Sequence, residues 1–378
     1  ALLMGLLKEF AFVTENDRAA AIAAMLTAAA RSSLPVAPAI HIRAPEYGSG
    51  KSYLAELIAL LAALTSHDIA KMSYPGSADE ATKSILAVLL LGPAAICFDD
   101  MATDWVPYGA VNRLITTEWF SDRVLQETRI GSASTRVLVM GTGNNVGPTG
   151  DLLRRVNVIH LDHGEERPAT KAYAGDPVRD VTCARGRYVS AALTIIAAYR
   201  AAGCPKTDCK ALAGFGEWSD ACRQPLLWLG LPDPAVRMFE NMQADPGRDT
   251  VGVLFEVWYK TFGDVATTAR VAKQRADHSA ELFEAFDDLD VVEHGEVNSK
   301  KLGKALKRAA GRIARGFTLT AVPAGGRQGW KVTRFQERGA ASPVSTVSPV
   351  SPPDPETVAE YDDDAVYEAD RSIRRGRL

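Results

Sequence analysis

The sequence predicts an α/β fold in which a parallel sheet carries a phosphate-binding loop, and three observations predict it. A β-branched run, Ile40-His41-Ile42, enters the glycine loop Glu46-Tyr47-Gly48-Ser49-Gly50-Lys51-Ser52, and the helix-favouring stretch Tyr53 to Leu61 leaves it. A later apolar run, Ala94 to Phe98, ends in Asp99-Asp100. Strand-like apolar runs alternate with helical stretches from Ala39 to about Asp162, as in a parallel sheet with covering helices.

A length of 378 residues suggests two or three domains with ample material for a core. Apolar residues make up 47% and charged residues 24%, the balance of a globular chain. Five cysteines without framework spacing fit a reducing, cytoplasmic setting. Cys204, Cys209 and Cys222 lack a paired C-x-x-C or a nearby histidine, so zinc is not expected. Leu54 to Leu64 is too short to span a bilayer and contains Glu56, and Ile85 to Phe98 is broken by Gly92-Pro93; no membrane segment is expected. The apolar opening precedes Lys8-Glu9 and so lacks the order of a signal peptide. A start at Ala1 leaves room for an upstream domain.

Residues 1–35 form a helical lead-in. Glu15 to Arg31 is alanine-rich, Asn16-Asp17 offers a start signal, and Ser33-Leu34-Pro35 closes it. The core occupies 36–164. In its glycine loop, backbone N–H groups and the helix dipole favour an anion. Lys51 then neutralises the β/γ-phosphates of ATP and the Ser52 hydroxyl binds Mg²⁺. Glu46, Tyr47, Gly48, Ser49, Gly50 and Tyr53 complete the nucleotide contacts. Pro45 stands where the usual pattern has its first glycine.

Alone, Asp99-Asp100 reads as a strand-ending turn. With the loop upstream it reads as the acidic edge of the ligand site, because parallel sheets bind at the C-terminal ends of their strands. Asp99 is then the Mg²⁺ ligand, direct or through water, and Asp100 polarises the attacking water. A hairpin follows, with Arg123 to Ile130 as a strand and Gly131-Ser132-Ala133-Ser134 as its turn. It feeds a core strand, Thr135 to Met140, that ends in Gly141-Thr142-Gly143-Asn144-Asn145. Either asparagine can sense the γ-phosphate. Beyond it, Leu152-Leu153-Arg154-Arg155 ends a helix before the strand Val156 to Leu161. An arginine there can stabilise transition-state charge in a neighbouring subunit's nucleotide.

Together, Gly48-Ser49-Gly50-Lys51-Ser52, Phe98-Asp99-Asp100, Thr142-Gly143-Asn144-Asn145 and Leu153-Arg154-Arg155-Val156 resemble an AAA+ ATPase. More narrowly, roughly residues 10 to 335 resemble the replicative helicases of phages, plasmids and integrative elements, which are often joined to a primase. The resemblance implies that Lys51 and Ser52 are the Walker A pair and Asp99 and Asp100 the Walker B pair. It also implies Asn144 as the sensor, Arg155 as the arginine finger, and a homo-hexameric ring with a primase domain or partner. In related helicases the hairpin before the sensor strand grips single-stranded DNA in the pore, which makes Arg123, Arg129 and Arg136 its basic candidates.

Residues 165–250 read as a helical lid over the nucleotide, with Tyr188 to Ala202 as one helix, Trp218, Trp228 and Leu229 as core, and Arg187 or Arg237 as candidate lid sensors. Residues 251–338 read as a winged helix. Leu282 to Phe286 is amphipathic, and Ser299 caps a helix that places Leu302, Ala305, Leu306 and Ala309 on one face. Lys300, Lys304, Lys307 and Arg308 lie on another face, and Arg327 sits at the wing between strands Phe317 to Val322 and Trp330 to Thr333. Between Glu296 and Arg338 eleven Lys/Arg face two Glu, a density that favours the phosphate backbone of duplex DNA. The Ser/Pro-rich, then acidic, then basic tail 339–378 is expected to be disordered. The resulting expectation is an ATP-driven DNA helicase or translocase in mobile-element replication. Its rival is a nucleotide-switched initiator or loader that binds DNA without unwinding it.

Overall fold

A computed structural model describes residues 1–124, 129–164, 173–244 and 246–335. The start of the expected lid at 165, the hairpin residues 125–128 and the tail 339–378 lie outside the described residues. The N-terminal segment opens with α1 (Leu2–Leu6) and α2 (Glu15–Ala30). Helix α2 starts one residue earlier than the Asn16-Asp17 signal implies, because Thr14 is its cap. Thr14 Oγ1 accepts the Asp17 N–H at 3.2 Å and the Asp17 carboxylate accepts the Thr14 N–H at 3.0 Å, a reciprocal capping box.

The core strands are β1 (Ala39–Ala44), β2 (Ile69–Met72) and β3 (Ala95–Met101), with α3 (Lys51–Ala62) and α4 (Ala78–Leu90) as their connections. After β3 come α5 (Gly109–Thr116), a hairpin of β4 (Trp119–Arg123) and β5 (Ile130–Ser134), then β6 (Leu138–Asn144) and β7 (Val156–His160). The five-stranded sheet has the order β2-β3-β6-β1-β7 and its pairings are parallel. The chain crosses the sheet one way from β1 to β2 and back from β2 to β3. Right-handed crossovers therefore put α3 and α4 on opposite faces. Near-continuous apolar runs in β1, β3, β6 and β7 follow from burial on both faces.

The hairpin corrects one expectation. Gly131-Ser132-Ala133-Ser134 is a strand, not the turn, and pairs with Trp119 to Asp122. Glycine is needed there for space: a Cβ on Gly131 would lie 2.9 Å from a Val124 methyl, with Leu86 and Leu90 just behind. Arg136 is likewise no free grip, since it pairs with Glu118 at 2.9 Å and donates to the Ser32 carbonyl at 3.0 Å.

Helices that follow among the described residues include α6 (Pro177–Ala201), the short α7 (Gly216–Trp218), α8 (Gln224–Trp228), α9 (Val236–Gln243) and α10 (Pro246–Phe262). The segment from α6 to α9 is bolted to the side of the core. Arg185 donates to the Leu60 and Leu61 carbonyls at the end of α3, both at 2.8 Å, and Trp218 Nε1 donates to Thr27 Oγ1 at 2.8 Å. Arg237 donates to the buried Asp17 carboxylate through two nitrogens, at 3.2 and 3.0 Å. Trp218 is core as expected, but Trp228 and Leu229 are substantially exposed.

A second hydrophobic cluster begins within α10 and is separate from the first, joining Phe255, Trp258, Phe286, Leu306 and Trp330. It is built on α10, α11 (Ala269–Ala276), α12 (Ala280–Asp287), the small pair β8 (Val292–Glu293) and β9 (Glu296–Val297), and α13 (Ser299–Ala309). A three-stranded sheet of β10 (Ile313–Ala314), β11 (Phe317–Ala324) and β12 (Arg327–Arg334) completes it. The cap of α13 is Asn298, whose side chain accepts the N–H groups of Lys300 and Lys301 at 3.0 and 3.1 Å, and Ser299 is the first helical residue. The final strands run longer than expected and leave only Gly325-Gly326, both at positive φ, as the turn. No described helix is long and apolar enough to cross a membrane.

One buried contact braces the strand that leads into the glycine loop. His41 of β1 accepts the Trp105 Nε1–H at Nδ1 (3.0 Å), and its Nε2 lies 2.8 Å from the Val146 carbonyl, so the ring is neutral with its proton on Nε2. Burial pushes its pKa down to about 4, against the pull of the Val146 carbonyl. As pH drops below about 6.5, the unfolded chain takes a proton that the folded one refuses, and stability is lost down to about pH 4. At about 1.4 kcal/mol per pH unit, His41 accounts for about 3 kcal/mol of that loss. Urea unfolding over this window is expected to show that much more loss in the native sequence than in His41→Gln.

Candidate functional site

The glycine loop leaves β1 at the C-terminal edge of the sheet and enters α3 at Lys51. Gly48 (φ 74°) and Gly50 (φ 82°) take the left-handed conformation that glycine permits without strain. Position 45 makes no such demand, so proline is tolerated there. The Ser49 hydroxyl and Lys51 Nζ both donate to the Glu46 carbonyl, the lysine at 3.0 Å. Lys51 is only 8% exposed. Burial lowers its pKa, opposed by the charges of Asp100 and Glu46. A buried ammonium resting on a main-chain carbonyl gains a stronger partner when an anion enters the loop.

Strand β3 delivers its acids beside this loop. Ser52 Oγ donates to Asp99 Oδ1 at 2.8 Å, and Thr142 Oγ1 of β6 donates to the same oxygen at 2.7 Å. Burial raises the pKa of Asp99, but the Thr142 and Ser52 hydroxyls outweigh it, so the net shift is downward and the carboxylate stays ionised. The register between β3 and β6 slips between Phe98 and Met101, and Asp100 sits at φ 49°. Such an irregularity re-aims a side chain. The Asp100 N–H is fixed by Thr142 Oγ1 at 3.0 Å, and its carboxylate is close enough to raise the pKa of Lys51.

Ser52 and Asp99 thus offer two hard oxygens beside the glycine loop. Among the described residues no three His, Cys, Asp or Glu side chains form a metal cage. Mg²⁺ commonly takes one or two protein oxygens and completes its shell with phosphate and water, and this pair fits that use.

Asn144 ends β6 opposite Ala44, and its Oδ1 is buried with no hydrogen-bond partner. An unpaired buried acceptor at a ligand edge calls for a donor, such as a positioned water. Asn145 (φ 52°) is tied to the loop entrance, its N–H to the Ala44 carbonyl at 3.2 Å and its Nδ2 to the Pro45 carbonyl at 3.4 Å. Among the described residues Asn144 Oδ1 has no partner, whereas Asn145 links the two loops. Arg154 and Arg155 both pair with Asp151, at 2.6 and 2.5 Å. The Arg154 side chain is 47% exposed and that of Arg155 only 13%. Burial lowers the Arg155 pKa against the pull of Asp151.

Next to Gly48, Ser49 and Gly50 opens a pocket of about 360 Å³ walled by Phe10, Tyr53, His163, Tyr173 and Pro177. Phe10 lies against the loop, 3.6 Å from where a Cβ on Gly50 would be, with its ring 6.2 Å from that of Tyr53. Backbone pairing of Phe12 with Leu161 holds this segment beside β7. Glu9 accepts the Ala174 and Gly175 N–H groups at 2.9 and 2.8 Å, and the Tyr53 hydroxyl donates to Asp176 at 2.5 Å. An aromatic-walled slot beside a phosphate loop suits a nucleobase. Base-on-aromatic stacking contributes about 1–3 kcal/mol, so under the nucleotide-binding reading proposed below Phe10→Ala is expected to raise the Kd for ATP roughly tenfold with little change in kcat, a split that equilibrium binding and steady-state kinetics read directly.

Of the described residues after 172, only Tyr173, Gly175, Asp176 and Pro177 line this pocket. Arg187 lies beside α1 and Arg237 is committed to Asp17. No sequence pattern singles out Phe10, Glu9, Thr142, Trp105, Tyr173 or Asp176. Phe10 and Glu9 are remote from the glycine loop in sequence, and Thr142 reads as part of a glycine-asparagine loop.

On the second cluster, Lys300, Lys304, Lys307, Arg308 and Arg327 are all exposed. Among the described residues no ion pair engages them, whereas Lys301 pairs with Glu293 at 2.7 Å and Lys273 with Glu296 at 3.2 Å. Leu302, Leu306 and Ala309 face the core. Comparison with models of known protein families and with curated protein sequences gives no match.

Proposed function

We propose that this chain is an ATP-driven motor of the AAA+ type that moves along DNA, with helicase activity in the replication of a mobile element. The observation that carries the reading is the meeting of Ser52 and Asp99 at 2.8 Å beside a left-handed glycine loop and a buried Lys51. In the reading, the loop N–H groups and Lys51 hold the phosphates, and Ser52 and Asp99 hold Mg²⁺, which neutralises charge developing on the transferred phosphoryl group. Asp100 and Asn144 orient the attacking water. Subunits assemble as a hexameric ring, and the Arg154-Arg155 pair leaves Asp151 to reach a neighbour's nucleotide.

The unpaired basic face of α13, with Arg327 after the Gly325-Gly326 turn, supports a winged-helix reading of the second cluster and contact with DNA phosphates. Phosphate contacts give affinity without sequence readout, which suits a motor that steps over any sequence. Strand displacement on a forked duplex tests the reading. The expected result is ATP-dependent unwinding that Lys51→Ala abolishes. DNA binding that responds to ATP without displacement would favour a nucleotide-switched initiator or loader.

A further inference from the structure

A second cleft, of about 830 Å³, opens where the loop after β6 faces the second cluster. Arg43 of β1 and Arg312, three residues beyond α13, both line it. Arg43 is half-buried, and an added Cβ on Gly147 would lie 3.8 Å from its Nη1. Among the described residues neither arginine has an ion pair or a side-chain hydrogen bond. The acids on the same wall are already engaged: Asp104 accepts the Gly147 N–H at 2.8 Å, and Asp151 holds Arg154 and Arg155. Two guanidinium groups without an ion pair among the described residues, against one such carboxylate, Asp104, favour an anion in the cleft.

We propose that this cleft binds the sugar-phosphate backbone of single-stranded DNA continuing from α13. Lys307, Arg308 and Arg312 follow one another along the chain from the basic helix to the cleft, so the cation track does not stop at the helix end. A cleft of this size has room for a few nucleotides of one strand. Asn145 also lines it and is bonded to Ala44 and Pro45. A strand lying there would touch the loop that leads into the phosphate site, a physical route from DNA occupancy to nucleotide turnover.

The inference rests on the reading of the chain as a DNA motor, and salt titration of single-strand binding tests the two separately. Removing one cation that neutralises a phosphate lowers the slope of log K against log salt by about 0.7 for a single strand. Arg312→Ala and Arg43→Gln are each expected to lower it by that amount, with duplex binding unchanged. Arg312 is exposed and far from the glycine loop in sequence, so its variant reports on the cleft even if Arg43→Gln disturbs folding. An unaltered slope in Arg312→Ala, with binding still weakened when the α13 lysines are removed, overturns the cleft and leaves the motor reading standing. Inorganic tripolyphosphate binding that Arg312→Ala removes, without a change in DNA slope, assigns the cleft to a small anion and also overturns it. A native chain that binds no DNA overturns both.

Discussion

Asp99→Asn is expected to slow ATP hydrolysis by about three orders of magnitude while ATP binding changes little. The substitution keeps the shape of the side chain and leaves an oxygen able to accept from Ser52 and Thr142, both now within 2.8 Å of Oδ1. What it removes is the negative charge that the two hydroxyls and the nearby Lys71 keep ionised. A thousandfold loss corresponds to about 4 kcal/mol of transition-state stabilisation, a reasonable loss where a carboxylate positions the cation on a developing phosphoryl charge. In the proposed reading, binding depends chiefly on the loop N–H groups, Lys51 and the aromatic pocket, which the substitution leaves alone. Phosphate release and nucleotide titration on one preparation check the split; near-native hydrolysis would move the metal acid elsewhere.

The second large effect concerns α13. Replacing Lys300, Lys304, Lys307 and Arg308 together by alanine is expected to weaken duplex binding at low salt by about a hundredfold. The slope of log K against log salt should fall by about 3.6, four contacts at about 0.9 each. The helix should survive, because Leu302, Leu306 and Ala309 make its core contacts, alanine favours helix, and the Asn298 cap is untouched. ATP hydrolysis without DNA should be unchanged, since these residues are remote from the glycine loop in sequence and line neither pocket beside it. Duplex affinity measured across a salt series gives both numbers.

The glycine loop, the acidic strand end and the basic helix are legible in the sequence because each is a local pattern: a strand entering glycines, an apolar run ending in acids, charge and leucine at helical spacing. The meeting of Ser52 with Asp99 follows from the rule that parallel sheets bind at one edge. The aromatic pocket is not legible. Phe10 reaches the loop only because Phe12 pairs with Leu161 at the end of the last strand, a contact between segments far apart in sequence. The hairpin register misleads for a related reason. Gly131 and the serines after it have turn composition, yet the glycine answers to Val124, Leu86 and Leu90, and tertiary space overrides local preference. The irregular step at Asp100 is equally invisible in sequence, as it depends on Thr142 of the neighbouring strand.

In the proposed reading, the glycine loop, Lys51, Ser52 and Asp99 form one Mg²⁺-nucleotide site. Calorimetric titration of the full chain with ATP tests this most directly, with and without Mg²⁺, for the native sequence and for Lys51→Ala. The account predicts saturable binding that strengthens with Mg²⁺ and is lost in Lys51→Ala. Absence of binding in the native chain, or binding indifferent to both Mg²⁺ and Lys51, would contradict it.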